Sequence, residues 1–141
     1  MNKRNMRKYP LVYVAGSYAR RQELLVFAAA LVRSDILVRA SWLSGIHDGA
    51  TPDVCREHDL LDIQSCDVFL VCGEGSTAGG KFWEAGFAEA LGKRIYLVGV
   101  PEEEVSVFSH GLVLCPELSA EKVASYLYAL PEKPWKRESI W

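Results

Sequence analysis

The chain alternates short apolar runs with longer segments whose apolar positions recur every three or four residues. Leu11-Val12-Tyr13-Val14-Ala15 is a continuous apolar run of strand length, the pattern of a strand covered on both faces. Gly16-Ser17 turns the chain, and Arg20 to Arg33 carries an Ala- and Leu-rich helical pattern. Ile36 to Ala40 reads as a second strand, followed by a polar loop with Gly45 and Gly49. Thr51-Pro52 starts a helix, with a hydroxyl N-cap and then proline at the first helical position; it is expected to run to about Ser65. Asp67 to Cys72 is the third strand, and a glycine-rich loop follows. Gly80 to Leu91 is a third helix, stopped by Gly92-Lys93 as a C-cap with a basic residue. Arg94 to Gly99 and Gly111 to Cys115 complete the strands. Ser119 caps a last helix to Leu130, before a Pro- and Trp-containing tail.

Strands alternating with helices imply right-handed crossovers and a mainly parallel sheet with both faces covered. Five strands suit a flavodoxin-like three-layer α/β sandwich. The whole of 1–141 is read as a single domain, its core about 11–130, with a basic N-terminal tail and a Pro/Trp C-terminal tail. In such sheets ligands bind beyond the carboxyl ends of the strands. That directs attention to the loops 16–20, 41–51, 73–80 and 99–110.

Composition narrows the classes of partner. Of 141 residues, 50% are hydrophobic and 24% charged, enough apolar surface for a sizeable core and too much for wholesale disorder. Sixteen Lys and Arg against eighteen Asp and Glu leave a net charge of −2, which gives no reason to expect a nucleic-acid polymer or a membrane surface as partner. The longest apolar run, Leu24 to Val32, is too short to span a bilayer. The basic N-terminus lacks the apolar segment and cleavage site of a secretory signal. The four cysteines, Cys55, Cys66, Cys72 and Cys115, form no C-x-x-C pair and read as reduced residues of a cytoplasmic protein.

Several motifs end in bland readings. Gly75 to Lys81 fits G-x-x-x-x-G-K, but Phe82 stands where a phosphate-binding loop needs a hydroxyl for Mg²⁺. Glycines that permit a tight strand-to-helix passage explain the segment better. His47, His58 and His110 lack metal-ligand spacing with the cysteines, so they read as surface or loop residues; no metal and no cofactor are implied. Trp42 is open between a ring that stacks on a base and a residue at the core edge.

The acidic residues say more. Glu84 lies in Phe82-Trp83-Glu84-Ala85-Gly86-Phe87-Ala88, where a carboxylate is expensive unless it has a task or a partner. Its place near a helix N-terminus favours the ionised form. Asp59 and Asp62 stand three apart on the preceding helix, hence close together on its surface; for Asp62 a solvated face is the expected setting, and for Asp67 a turn or cap. Two carboxylates at one cleft are what glycosidic chemistry requires, one attacking the anomeric carbon and one assisting. The entry Gly16-Ser17 offers backbone N–H groups to an anion, and Arg20 or Arg21 adds charge. On the residues alone it is equally an ordinary turn with solvent-facing arginines.

Taken in order, Tyr13-x-x-Gly16-Ser17, Glu57-x-Asp59-Leu60, Cys66-Asp67-Val68 and Gly79-Gly80-x-x-x-Glu84-x-Gly86-x-Ala88-x-Ala90-x-Gly92-Lys93 resemble the nucleoside 2-deoxyribosyltransferase superfamily, including the deoxynucleoside 5′-monophosphate N-glycosidases. The resemblance covers roughly residues 11 to 115. It implies a flavodoxin-like fold and a retaining double displacement on a small-molecule nucleoside or nucleotide. Glu84 matches the nucleophile, Asp59 the assisting carboxylate and Tyr13 the tyrosine that positions the nucleophile. Gly16, Ser17, Arg20 and Arg21 match the phosphate-side loop, and Gly79 and Gly80 are expected among the substrate-binding residues. Ser109 falls where the hydrolases place a serine reaching a neighbouring subunit's phosphate site, which implies a homodimer or larger assembly.

Two departures shape the expected reaction. The transferases carry an aspartate shortly before the nucleophile, whereas this chain has Ser76-Thr77-Ala78-Gly79. Water is therefore the expected acceptor, with deoxyribosyl transfer to a second base as the alternative. The hydrolases place a phosphate-contacting serine near the same point; Ala78 has the closest spacing and Ser76 is offset. A binding or sensing module that keeps the fold without turnover is the reading of a different class.

Overall fold

The computed structural model describes residues 6–7, 10–45, 48–73, 80–99, 112–130 and 135–136. Five strands form one sheet: β2 (Leu11–Ala15), β3 (Leu37–Val38), β4 (Val68–Cys72), β5 (Arg94–Val98) and β6 (Leu112–Cys115), in the order β3-β2-β4-β5-β6. Every pairing within it is parallel, and β2 and β4 are buried along their whole length. That is why both strands read as unbroken apolar runs rather than alternating ones. Helices α1 (Arg21–Arg33) and α4 (Ala120–Ala129) pack together, as do α2 (Pro52–Ser65) and α3 (Gly80–Ala90), which gives three layers. Two short tail strands, β1 (Met6–Arg7) and β7 (Trp135–Lys136), pair antiparallel; the sequence pattern gave no sign of them.

Local signals place the helices as expected. The Thr51 hydroxyl accepts the Val54 amide at 3.3 Å with Pro52 next in line, and the Ser119 hydroxyl accepts that of Lys122. Gly92, at φ 76°, closes α3 in the left-handed conformation that glycine tolerates best. Lys93 closes α3 through its amide, which donates to the Ala88 carbonyl at 3.0 Å, and its ammonium donates to the carbonyl of Gln64 near the end of α2. Asp67 is more than a turn residue: its carboxylate accepts the Leu11 amide at 2.8 Å and its own amide donates to the Leu11 carbonyl, tying the starts of β2 and β4. The buried positions of α4 are Val123, Ala124 and Leu127, and Tyr126 is half exposed.

The largest difference from the sequence pattern lies at β3. The run Ile36 to Ala40 yields only a two-residue strand, because the last ladder bond on that side runs from the Arg39 amide to the Val12 carbonyl. The chain then enters a 3₁₀ turn, Ser41–Ser44. Val14, two residues further along β2, meets no strand there; its carbonyl accepts the indole N–H of Trp42 at 2.8 Å. An aromatic side chain thus replaces the next rung of the ladder and satisfies a buried acceptor. Cys66, Cys72 and Cys115 are buried, Cys55 is half-buried, and all four are reduced thiols. Burial pushes the Cys66 thiol up to about 12, so it remains a neutral core group.

Two glycines carry opposite expectations. A Cβ on Gly16 would sit 2.4 Å from a Leu24 methyl and 2.9 Å from the Cys72 carbonyl. The methyl can rotate aside, but the carbonyl is backbone, so Gly16→Ala is expected to destabilise the protein by about 1–3 kcal/mol. Gly86 lies within α3 with nothing within 4 Å of the same position. Gly86→Ala is expected to stabilise by about 0.5–1 kcal/mol through helix propensity. Urea denaturation of the two variants beside the parent checks both signs.

Candidate active site

The sheet order reverses direction between β2 and β4, whose chains leave toward opposite edges. Such a switch point opens a crevice at the strands' carboxyl ends, and the residues singled out in the sequence gather beside it. Tyr13 stands in the middle of β2 and is fully buried. Its register partner on β4 is Phe69, and the two rings stack with centroids 5.2 Å apart and planes 16° from parallel. From that fixed position the Tyr13 hydroxyl donates to Oε2 of Glu84 at 2.9 Å. Glu84 is half-buried in the first half of α3. Asp59, half-buried on α2, lies close enough for its charge to act on both groups. The three residues assigned to catalysis thus come together from β2, α2 and α3.

Electrostatics sets the state of this cluster. Burial pushes the Glu84 carboxyl from 4.5 up to about 7; the Tyr13 hydrogen bond works against that rise and the Asp59 charge adds to it. The ionisation expected from a helix N-terminus is therefore outweighed by desolvation. Burial, and then the charges of Glu84 and Asp59, push the Tyr13 phenol far above its ordinary range. Tyr13 is consequently a permanent neutral donor, and Glu84 is a carboxylate poised near neutrality.

The proposed phosphate end looks different from its sequence. The Ser17 hydroxyl accepts the Ala19 amide and caps a short 3₁₀ turn, Tyr18–Arg20, that precedes α1. Arg20 is not solvent-facing in the simple sense: its guanidinium grips Glu23 through two bonds, at 2.6 and 3.0 Å. Arg21 donates to the Asp48 carboxylate and to the Tyr18 hydroxyl, both at 3.1 Å, and lies over the Tyr18 ring. Each arginine already holds an acidic partner. Nothing in the local sequence announced Asp48, which reaches this loop from 27 residues away.

Two expectations need correction. Trp42 is buried, and its N–H is spent on the Val14 carbonyl; of its two readings the structure displays the core residue, not a stacking ring. Asp62 does not lie on a solvated face. It is 7% exposed, and its carboxylate accepts the Ser41 amide at 2.8 Å. His58 lies on α2 and is half-buried. Gly80 opens α3, whereas Ser76, Gly79, His47, Ser109 and His110 lie outside the described residues. Among the described residues no group of three His, Cys, Asp or Glu is placed to hold a metal ion, and no helix is long and apolar enough to cross a membrane.

A parallel sheet with a buried tyrosine and a half-buried glutamate beside its switch point defines an α/β fold with a carboxylate-centred candidate site. Among solved structures, the CMP N-glycosidase BcmB of Clostridium botulinum matches with a TM-score of 0.58 at 19% identity, over 83% of this chain and 96% of that one. The 2-deoxyribosyltransferase of Bacillus psychrosaccharolyticus matches with a TM-score of 0.67 at 20% identity, over 89% and 98%. The chain has the fold of these enzymes. A scan against protein-family models finds no match, and no curated protein matches its sequence significantly.

The raised Glu84 value carries a stability consequence. A group whose folded value exceeds its unfolded one stabilises the fold below the unfolded value, and that contribution is lost as pH rises through the folded one. With 4.5 and about 7 as the two limits, ionised Glu84 opposes folding above pH 7 by on the order of 2–3 kcal/mol. Glu84→Gln keeps an acceptor oxygen for Tyr13 and removes the charge. It is expected to be more stable than the parent at pH 8, with the gap closing toward pH 4.5. Equal gaps at both pH values in urea denaturation would contradict the burial argument.

Proposed function

We propose that the protein cleaves the N-glycosidic bond of a 2′-deoxynucleoside or its 5′-monophosphate, with Glu84 as nucleophile and water as acceptor. The observation that carries this reading is the Tyr13–Glu84 pair at 2.9 Å, set beside Asp59 at the switch point. It is supported by the shared fold of a CMP N-glycosidase and a 2-deoxyribosyltransferase.

In the first step a Glu84 carboxylate oxygen bonds to C1′ of the sugar as the C1′–N bond breaks. The electron pair of that bond leaves with the base, which takes up a proton. Tyr13, locked by stacking and unable to ionise, holds one carboxylate oxygen so that the other faces the sugar. Asp59 is assigned the assisting role near the sugar and the base. In the second step water attacks C1′ of the glycosyl ester, gives up its proton and frees the Glu84 carboxylate. Gly16, Ser17, Arg20 and Arg21 are assigned the 5′ end of the substrate. There a phosphate competes with Glu23 and Asp48 for the two guanidinium groups. Ser76, Gly79 and Gly80 are assigned the sugar's surroundings, and Ser109 a phosphate contact across a homodimer.

Base release from a panel of deoxynucleosides and their monophosphates tests the reading. Glu84→Ala is expected to lower the rate by three orders of magnitude or more, and mass spectrometry of the parent is expected to trap a deoxyribosyl adduct on Glu84. Parent-like turnover by Glu84→Ala would end the assignment. Excess free base is expected to exchange poorly; efficient exchange would make the protein a transferase. Because Glu84 acts as a carboxylate, the rate is expected to rise with pH through about 7. Tyr13→Phe removes a bond that lowers that value, so its acid limb is expected to move upward.

A further inference from the structure

Asp62 is the one buried charged residue among the described residues. A carboxylate in such a place costs several kcal/mol unless something holds it, and the Ser41 amide does so at 2.8 Å. The next residue, Trp42, donates its indole N–H to Val14 of β2. Asp62 therefore ties α2, through two consecutive residues of the 3₁₀ turn, to the backbone of β2. Asp59 rides on the same helix one turn earlier. Tyr13, the neighbour of Val14, ties α3 to the same strand through Glu84. Two adjacent residues of β2 thus index the two helices that carry the two carboxylates.

We propose that Asp62 is a positioning residue that acts through Asp59: its bond to Ser41 fixes how far α2, and with it the Asp59 carboxylate, stands from Glu84. The inference rests on the proposed glycosidic reaction, in which the separation of two carboxyl groups decides what each can do. A charge-assisted bond to a backbone amide suits this task, being short and directional. The turn it holds is fixed at its other end by the Trp42 indole, which donates to the Val14 carbonyl at 2.8 Å. The Ser65 hydroxyl adds a bond to the Asp62 carbonyl at 2.8 Å, which stiffens the last turn of α2 at the same point.

The test is a double-mutant cycle on kcat with the best substrate of the panel. Asp62→Ala is expected to lower kcat about tenfold or more in the parent background, and less than about twofold beside Asp59→Asn, where there is no carboxylate left to place. Asp62→Asn keeps an oxygen for the Ser41 amide and is expected to return kcat to within about threefold of the parent. The same loss from Asp62→Ala in both backgrounds overturns the proposal. Should Asp62→Ala fold poorly, Trp42→Phe breaks the same chain at its other bond. It is expected to show the same dependence on Asp59, and an additive effect overturns the proposal equally.

Hydrogen exchange at the Ser41 amide and the Trp42 indole N–H reads the anchor without turnover. Faster exchange in Asp62→Ala but not in Asp62→Asn upholds the anchor, and unchanged protection overturns it. A parent that releases no base from any substrate defeats the glycosidic reading alone, because the exchange measurement still decides the anchor.

Discussion

The hydrogen bond from Tyr13 to Glu84 sets the terms for the rest of the molecule. It joins a strand to a helix through two groups that would each rather be hydrated, so the fold has to pack one of them and pair the other. A phenol at the centre of a sheet is tolerable only where its ring is packed and its hydroxyl has a partner. Phe69 provides the packing from the adjacent strand and Glu84 provides the partner. In return the phenol fixes the one carboxylate on α3 that desolvation would otherwise hold protonated to still higher pH. Stability and reactivity pull against each other at this point, a tension common at sites built for chemistry.

The polar end of the site is organised by a different rule. Around Gly16 the chain passes so close to the end of β4 that no side chain fits there. The short turn that follows presents Arg20 and Arg21, half-buried, and there each is paired with a carboxylate. Exposed ion pairs of this kind contribute little to stability. They do hold the guanidinium groups in defined places, and they make the loop electrically closer to neutral than its sequence suggests. The Arg21–Tyr18–Asp48 contact also joins the loop after β2 to the segment after β3, two pieces of chain remote in sequence.

What could be read from the sequence follows the range of the forces involved. Helix starts at Thr51 and Ser119 and the glycine stop at Gly92 rest on neighbours within four residues, and the structure places them where the residues imply. The buried strands at 11–15 and 68–72 were legible because unbroken apolar runs have few other uses. The gathering of Tyr13, Asp59 and Glu84 was legible only through the order of short motifs, since no single spacing encodes a contact between Tyr13 and a residue 71 positions away. Asp62 was misread, Trp42 left open and Asp48 missed for one reason. Their roles are set by partners on other elements, and a side chain's own neighbours do not say whether a backbone amide will be waiting for it. The shortness of β3 belongs with them, because it depends on Trp42 taking a rung that the strand could have filled.

That substitution has a consequence for how the protein behaves in company. The outermost strand of an open sheet ordinarily offers a row of unused donors and acceptors to any other chain that can extend along it. Here the outermost strand stops after two residues, and an indole already occupies the inner strand's next acceptor on that side. A foreign strand approaching this flank would find little backbone to pair with, although Leu37 is more than half exposed there. This margin of the sheet is shortened and capped by a side chain, which reduces the aggregation hazard of a long exposed edge.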